Sequence, residues 1–195
     1  LGMPHRRLNI LVMGTDIVYD NKTHIIISES GHTDTIILVN ISPFTHKINL
    51  LSIPRDTLLE IPGCGYQKVN TAHFIGGQDL AKETLKNFLG IPIDNYVVLH
   101  PKELIRLIDL VGGIRLYVDK DMYYVDNWGH LYINLKKGWH TLKGEEAHGF
   151  VRYRQDPLGD INRVQRQQAF LKALIYKLSN PLMIGRTPWI IGIAK

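Results

Sequence analysis

Thr33-Asp-Thr-Ile-Ile-Leu-Val-Asn-Ile41, then Ser42-Pro-Phe-Thr-His46, then Lys47-Ile-Asn-Leu-Leu-Ser-Ile53 is the stretch on which the fold turns. Two β-branched, apolar runs flank a segment rich in turn formers, which is the pattern of an antiparallel hairpin. The first run is apolar almost throughout. Upstream, Leu8-Asn-Ile-Leu-Val-Met13 reads as another buried strand, ending at Gly14-Thr-Asp16. Residues 17–33 are polar without sustained period and read as a long loop.

Downstream the period changes from strand to helix. Gln78 to Leu89 is helical, with Leu80, Thr84, Leu85 and Phe88 on one face, Gly90 as the stop and Pro92 beyond. Pro101 opens a second helix whose stripe is Leu104, Ile105, Ile108 and Val111, ended by Gly112-Gly113. Ile114 to Val118 returns as a strand, and residues 122–134 read as a hairpin around Asp126-Asn-Trp-Gly129. A last helix spans about Ile161 to Leu178, with Val164, Gln168, Leu171, Ile175 and Leu178 facing inward. The expectation is an α/β domain: a mixed central sheet flanked by helices.

At 195 residues, 45% hydrophobic and 21% charged, the chain is an ordinary globular composition and reads as a single domain. A net charge of +5 fits an anionic partner: nucleic acid, a lipid surface or a phosphorylated substrate. Cys64 is the lone cysteine, so no intrachain disulfide forms, and between Gly63 and Gly65 it reads as an incidental loop thiol. No stretch approaches the ~20 apolar residues of a membrane helix. The start at Leu1-Gly-Met-Pro4 and the end within Trp189-Ile-Ile-Gly-Ile-Ala194 read as those of an excised piece.

The chemistry concentrates in Phe150-Val-Arg-Tyr-Arg154 and Gly159-Asp-Ile-Asn-Arg-Val-Gln-Arg-Gln-Gln168. Arg152 and Arg154 are two apart, so on a strand they project from one face. Asp160 is placed to cap the last helix, and Arg163 and Gln167 share one helical face. Two strand arginines beside a helix start carrying a third form a site for a multiply charged phosphate, because the planar guanidinium binds phosphate oxygens in pairs. Two exposed strand arginines and a capped amphipathic helix explain the pattern equally well. Asp34 stands at the mouth of an apolar strand, as a strand-start carboxylate or as a Mg²⁺ ligand, with Asp16 as a second carboxylate. Ser52-Ile-Pro-Arg-Asp-Thr57 follows a strand end, where Arg55 and Asp56 read either as functional side chains or as a turn with an ion pair. Lys68-Val-Asn70 and His73 read as a loop before the first helix, lining a cleft or simply solvated. The nine histidines show no metal-ligand spacing, and no Ser/His/Asp or Cys/His nucleophile pattern appears.

Together these pieces resemble the LytR–CpsA–Psr family of bacterial cell-wall glycopolymer transferases. The matching segments are Asn9-Ile-Leu-Val-Met-Gly14, Gly31-His-Thr-Asp-Thr-Ile36, Leu51-Ser-Ile-Pro-Arg-Asp-Thr57, Lys68-Val-Asn70 and Gly76-Gly77. They continue with Ile93-Asp-Asn-Tyr96, Ile108-Asp-Leu-Val-Gly-Gly113, Val151-Arg-Tyr-Arg154 and Gly159-Asp-Ile-Asn-Arg163 through Gln168. They occur in family order and cover residues 8 to about 181.

The resemblance implies one extracytoplasmic catalytic domain at the outer face of the bacterial membrane, with a single-pass N-terminal anchor outside this segment. It implies an enzyme that moves a glycan polymer, such as teichoic acid or capsule, from an undecaprenyl-linked pyrophosphate or phosphate to peptidoglycan through a phosphodiester. Mg²⁺ accompanies the pyrophosphate, and an apolar tunnel takes the prenyl tail. Asp34 resembles the metal-associated aspartate and Asp16 its partner; Arg55, Arg152, Arg154 and Arg163 resemble the pyrophosphate-binding arginines. Asp160 and Gln167 resemble members of the same network, and Lys68 adds a cation to it. His32 stands where the family commonly has arginine, and can give phosphate one hydrogen bond rather than a bidentate contact. Asp160 or Asp56 ranks ahead of His73 as the base for the acceptor hydroxyl. A prenyl-pyrophosphate phosphatase and a non-catalytic module for anionic polymers remain open beside the transferase. No nucleic-acid motif is present.

Overall fold

The structure, a computed structural model, describes residues 7–15, 18–19, 26–28, 32–45, 47–127, 131–155 and 160–179. Two compact units divide the chain, residues 1–101 and 102–195.

The first unit holds β1 (Leu8–Thr15), β2 (Val18–Tyr19), β3 (Ile26–Ser28), β4 (Thr33–Ser42), β5 (Lys47–Ser52), β6 (Leu58–Ile61), β7 (Gly65–Lys68), α1 (Asn70–Leu89) and β8 (Asn95–Leu99). Its centre is a four-stranded sheet in the order β5-β4-β1-β8. β1 pairs antiparallel with β4 and parallel with β8, so the sheet is mixed as expected. The hairpin of the opening quotation is β4–β5, with Ile37 opposite Ser52 and Ser42 opposite Lys47. Ile36, Ile37, Leu38 and Val39 are all buried, which explains why the run is apolar rather than alternating. Leu11 and Met13 from β1, Ile36 and Leu38 from β4, and Ala81 and Leu85 from α1 make the core of this unit. An asparagine rung crosses the sheet: Asn49 donates to Asn40 at 3.2 Å, and Asn40 donates to Asn9 at 2.8 Å. Asn9 in turn donates to the Pro92 carbonyl at 2.7 Å, so a buried amide is satisfied rather than stranded.

Three expectations shift here. The loop assigned to residues 17–33 contains a short antiparallel pair, β2–β3. The first helix begins at Asn70 rather than Gln78, because a helical segment carrying His73 precedes a kink at Gly76 (φ −136°) and Gly77 (φ 65°). The polar residues before the two glycines hid that turn of helix. Phe88 is 53% exposed, outside the core stripe, while Thr84 and Leu85 are buried; Thr84 can be buried because its hydroxyl donates to Leu80 O at 2.7 Å. The β6–β7 hairpin was unforeseen, since its strands are only four residues each.

The second unit holds α2 (Pro101–Leu110), β9 (Ile114–Val118), β10 (Met122–Asp126), β11 (Leu131–Leu135), β12 (Gly138–Leu142), α3 (Gly144–Arg152) and α4 (Asp160–Leu178). β10 pairs with β11 and β12 with β9, both antiparallel. Ile108, Val111, Ile114, Val118, Met122, Ile133, Leu142, Phe150 and Leu174 form its core. The helix from Pro101 and its glycine stop stand as expected, with Ile108 and Val111 buried and Leu104 and Ile105 half-buried. The α4 stripe is rotated from expectation. Arg163, Arg166, Phe170, Leu171 and Leu174 are buried, whereas Val164, Gln168, Ile175 and Leu178 are half-buried. An apolar-periodicity argument cannot find a face whose first two positions are arginines.

The α2–β9 turn needs glycine at 113. Its φ is 87°, and a Cβ would meet Leu142 O and Thr141 Cγ2 at 2.9 Å each. Its carbonyl accepts a hydrogen bond from the Lys177 ammonium of α4, tying the turn to the last helix. Gly113→Ala is therefore expected to lose about 1–3 kcal/mol of stability through strain and displacement of β12. A urea midpoint equal to the parent's would remove that constraint.

Candidate phosphate-binding site

The register of the first unit explains its acidic and basic pair. β1 and β8 run parallel and end together at Gly14 and Leu99, and antiparallel β4 starts at the same edge. Ligands of open α/β sheets gather outside the carboxyl ends of parallel strands. At that edge the β1–β4 pairing slips, since Gly14 faces Thr35 while Thr15 faces Thr33. Asp34 is the extra residue of this bulge, a device that re-aims a side chain out of the ladder. Gly14 permits the approach, for a Cβ there would lie 3.2 Å from Thr35 Cβ.

The same hairpin delivers Arg55. Ile53 N donates to Ile36 O at 2.9 Å, extending the pairing one residue past β5. Two residues further the register sets Arg55 opposite Asp34, and Arg55 Nη1 donates to Asp34 Oδ1. Arg55 Nε lies 3.6 Å from Asp56 Oδ2, and Lys68 Nζ donates to Asp56 Oδ1 at 2.6 Å. The sequence alternatives at Ser52–Thr57 thus resolve into a four-member charge chain, Asp34–Arg55–Asp56–Lys68. The Lys68 ammonium, bonded to Asp56, holds that carboxyl below its usual range, and the Arg55 charge adds to it. Thr57 seals the turn by donating from its hydroxyl to Pro54 O at 2.6 Å, and Val69 N donates to Thr57 O at 2.8 Å. The turn and the end of β7 are thus one rigid piece.

His32 is exposed and stacks on Phe74, ring centroids 4.9 Å apart and 23° between planes. His73 is buried, at 5% exposure, so the solvated-loop and cleft readings both give way to a helix residue turned inside. Asp16 lies outside the described residues. No group of three or more His, Cys, Asp or Glu side chains suited to a metal ion gathers among the described residues.

In the second unit, Arg152 and Arg154 do not stand on a strand. Arg152 is the last residue of α3, Tyr153 caps it, and Arg154 lies just beyond, exposed. The helix signal sat upstream: Glu146 accepts from the Lys143 amide at 2.9 Å, and Gly144 N donates to Asp109 Oδ1 at 2.9 Å. A cation in the last turn also suits the helix dipole, which is a second reason for Arg152 to end α3.

α4 supplies Arg163 and Gln167 four residues apart on one face, as read. Arg163 is 7% exposed and Gln167 half-buried. The side chain of Asp160, the first residue of α4, lies outside what is described.

Two residues were missed. Arg166, 5% exposed, donates from Nη2 to Tyr153 O at 2.6 Å, and its guanidinium carbon lies 5.4 Å from the Tyr153 ring. It pins the carbonyl that ends α3, and so positions the segment between Arg152 and Arg154. Its spacing, three after Arg163, was the available signal. His148 is the other, one helical turn before Arg152 and 9% exposed. Burial, with the Arg152 charge second, pushes its pKa down to about 4, so the imidazole is neutral at pH 7.

The comparisons with known proteins follow from these motifs. The LytR_cpsA_psr family model matches residues 3–195. This chain belongs to the LytR–CpsA–Psr family. Regulatory protein MsrR of Staphylococcus aureus (strain COL) is 34% identical over 191 residues, covering 97% of the chain and 54% of MsrR. TagV of Bacillus subtilis (strain 168), a polyisoprenyl-teichoic acid–peptidoglycan teichoic acid transferase, is 37% identical over 193 residues, covering 95% of the chain and 47% of TagV. The TagV crystal structure aligns with a TM-score of 0.80 at 34% identity, over 98% of this chain and 72% of that one. YwtF (TagT), of Bacillus subtilis, with bound octaprenyl pyrophosphate lipid, aligns with a TM-score of 0.69 at 30% identity, over 95% and 73%. The chain thus spans about half the length of the curated relatives it matches.

The buried His148 makes a pH prediction. The unfolded imidazole takes a proton below pH 6.5 and the folded one only near 4, so stability is full above 6.5 and falls as pH drops between those values. The loss approaches about 3 kcal/mol at most. His148→Leu is expected to flatten the pH dependence of the unfolding midpoint between pH 6.5 and 4; identical curves for parent and variant would refute the assignment.

Proposed function

We propose that this chain is the catalytic part of a phosphotransferase that moves a glycopolymer from a polyprenyl (pyro)phosphate carrier to peptidoglycan through a phosphodiester bond. The observation that carries the reading is Arg55, set by strand register against the bulged Asp34, in a chain whose solved relative holds a prenyl pyrophosphate. TagV's name as a teichoic acid–peptidoglycan transferase supports teichoic acid as one class of polymer. The enzyme works at the outer face of the bacterial membrane, held by an N-terminal anchor outside this segment.

Phosphoryl transfer asks little covalent help of a protein; it needs charge neutralised on non-bridging oxygens and a nucleophile held in line. Arg55 and Lys68 are the candidate phosphate-binding groups of the first unit, and Arg152, Arg154 and Arg163 are those of the second. Gln167 adds a neutral donor, and His32 gives one hydrogen bond in place of an arginine fork. The acceptor hydroxyl oxygen attacks the phosphorus that bears the glycan, the bond to the prenyl phosphate breaks, and prenyl phosphate leaves. The hydroxyl proton passes to a carboxylate. Asp160 or Asp56 is the candidate base, with the Asp56 carboxyl held ionised by Lys68, and His73 ranks behind them because it is buried.

Mg²⁺ is the cofactor this reading requires. Asp34 would offer it a hard carboxylate at the strand edge and Asp16 is the candidate for a second, an ion of this kind commonly needing only one or two protein carboxylates. Bound there, the ion would neutralise charge on the donor's phosphate oxygens.

Replacing Arg152 or Arg154 with Ala is expected to lower donor turnover by roughly two orders of magnitude or more, with the unfolding midpoint retained. The assay follows joining of a labelled polymer to peptidoglycan, with release of prenyl phosphate into water as control. Unchanged joining in both variants would sink the site; release without joining in the parent would make the enzyme a phosphatase. Asp34→Asn should shift the Mg²⁺ titration to higher concentration, and a superimposable titration would remove Asp34 from the metal.

A further inference from the structure

The outer face of the β9–β12 pair carries an aromatic rung that the proposed transfer does not use. Trp139 and Tyr117 lie opposite each other in the register, edge to face, with ring centroids 5.5 Å apart and 62° between planes. Trp139 is 65% exposed and Tyr117 46%. The Arg115 guanidinium carbon lies 5.4 Å from the indole centroid, and Arg115 faces Thr141 on the next rung. Beyond the other side of the aromatic rung, Asp119 and Lys137 leave the strand ends, both exposed. Lys136 is paired with Asp121 at 2.9 Å, so Arg115, Lys136 and Lys137 stand against Asp119 and Asp121.

Cross-strand pairing accounts for the two rings meeting, at roughly 0.2–1 kcal/mol. It does not account for most of an indole left in water. A lipid surface would have to bury exposed charges of both signs here, and a polyanion would meet carboxylates. The near-balanced ring of donors and acceptors around an aromatic shelf complements a neutral, hydroxyl-rich chain, whose C–H faces lie on the rings while its hydroxyl and amide groups reach the rim.

We propose that this face binds the amino-sugar backbone of the peptidoglycan acceptor. The identity of the strand rests on the proposed function, whereas saccharide binding does not. The test sediments the protein with insoluble peptidoglycan stripped of teichoic acid, and titrates the N-acetylglucosamine hexamer as soluble probe by tryptophan fluorescence. Trp139→Ala and Tyr117→Ala are expected to weaken both by roughly tenfold. Release of prenyl phosphate into water stays at the parent's rate, and joining to peptidoglycan falls. Arg152→Ala should sediment like the parent while losing turnover, so failure of the donor site and failure of this face give different results. Equal sedimentation of parent and both aromatic variants overturns the proposal, as does a parent that binds neither probe. Trp139-dependent binding to phospholipid vesicles instead of glycan would make the face a membrane contact and also overturn it. So would a fall of several degrees in the unfolding temperature of both variants, which would mean that another part of the protein covers the rings.

Discussion

The register of β4 against β5 and β1 is the constraint from which the first unit's site follows. A strand has a side-chain period of two, so a slip by one residue would exchange the two packed faces of β4 and break the Asn9–Asn40–Asn49 rung. With Ile36, Ile37, Leu38 and Val39 all buried and β4 flanked by strands on both sides, no such slip is tolerable. Fixed register then fixes Arg55 opposite Asp34 with no further information. The ion pair itself contributes little, since both side chains are partly in water and such pairs are worth about 1 kcal/mol or less. Stability is supplied by the apolar run, and the pair is where that run delivers charge.

The second unit solves the same problem with helices. Arg152 and Arg154 bracket the end of α3, a place where backbone carbonyls lose their helical partners. Arg166 reaches from α4 to the Tyr153 carbonyl and takes one of them. A buried guanidinium is costly unless bonded, so Arg166 holds the chain between the two arginines as firmly as a core side chain would. Lys177 does similar work two turns or more further along α4, donating to the Gly113 carbonyl at the start of β9.

Much of this was legible in the sequence, and the reasons for the misses are particular. The β4–β5 hairpin, the helix at Pro101 and the start of α4 each carried two concordant signals, a period and a punctuating residue. The helix before Gly76 carried only one, because Asn70, Thr71 and His73 are poor helix formers placed by tertiary contact. Arg152 and Arg154 were read as a strand pair because Val-Arg-Tyr-Arg alternates; the helix was written earlier, in Glu146 and in the packing of Ala147 and Phe150. The bulge at Asp34 had no sequence signal beyond Gly14, since it is a property of two strands together. Arg166 was invisible to any argument that expects buried faces to be apolar.

His148 lies one helical turn before the end of α3. Its pKa falls first through burial and then through the charge of Arg152 one turn away. The second effect means that positive potential from Arg152 is felt inside the unit as well as at its surface. Arg163 is buried on α4 and Arg166 beside Tyr153, and guanidiniums stay charged at any pH a protein survives. A helix end that carries Arg152 and is tied by Arg166, while a titratable neighbour is held neutral, keeps its positive charge independent of pH, which is what the proposed phosphate binding asks of it.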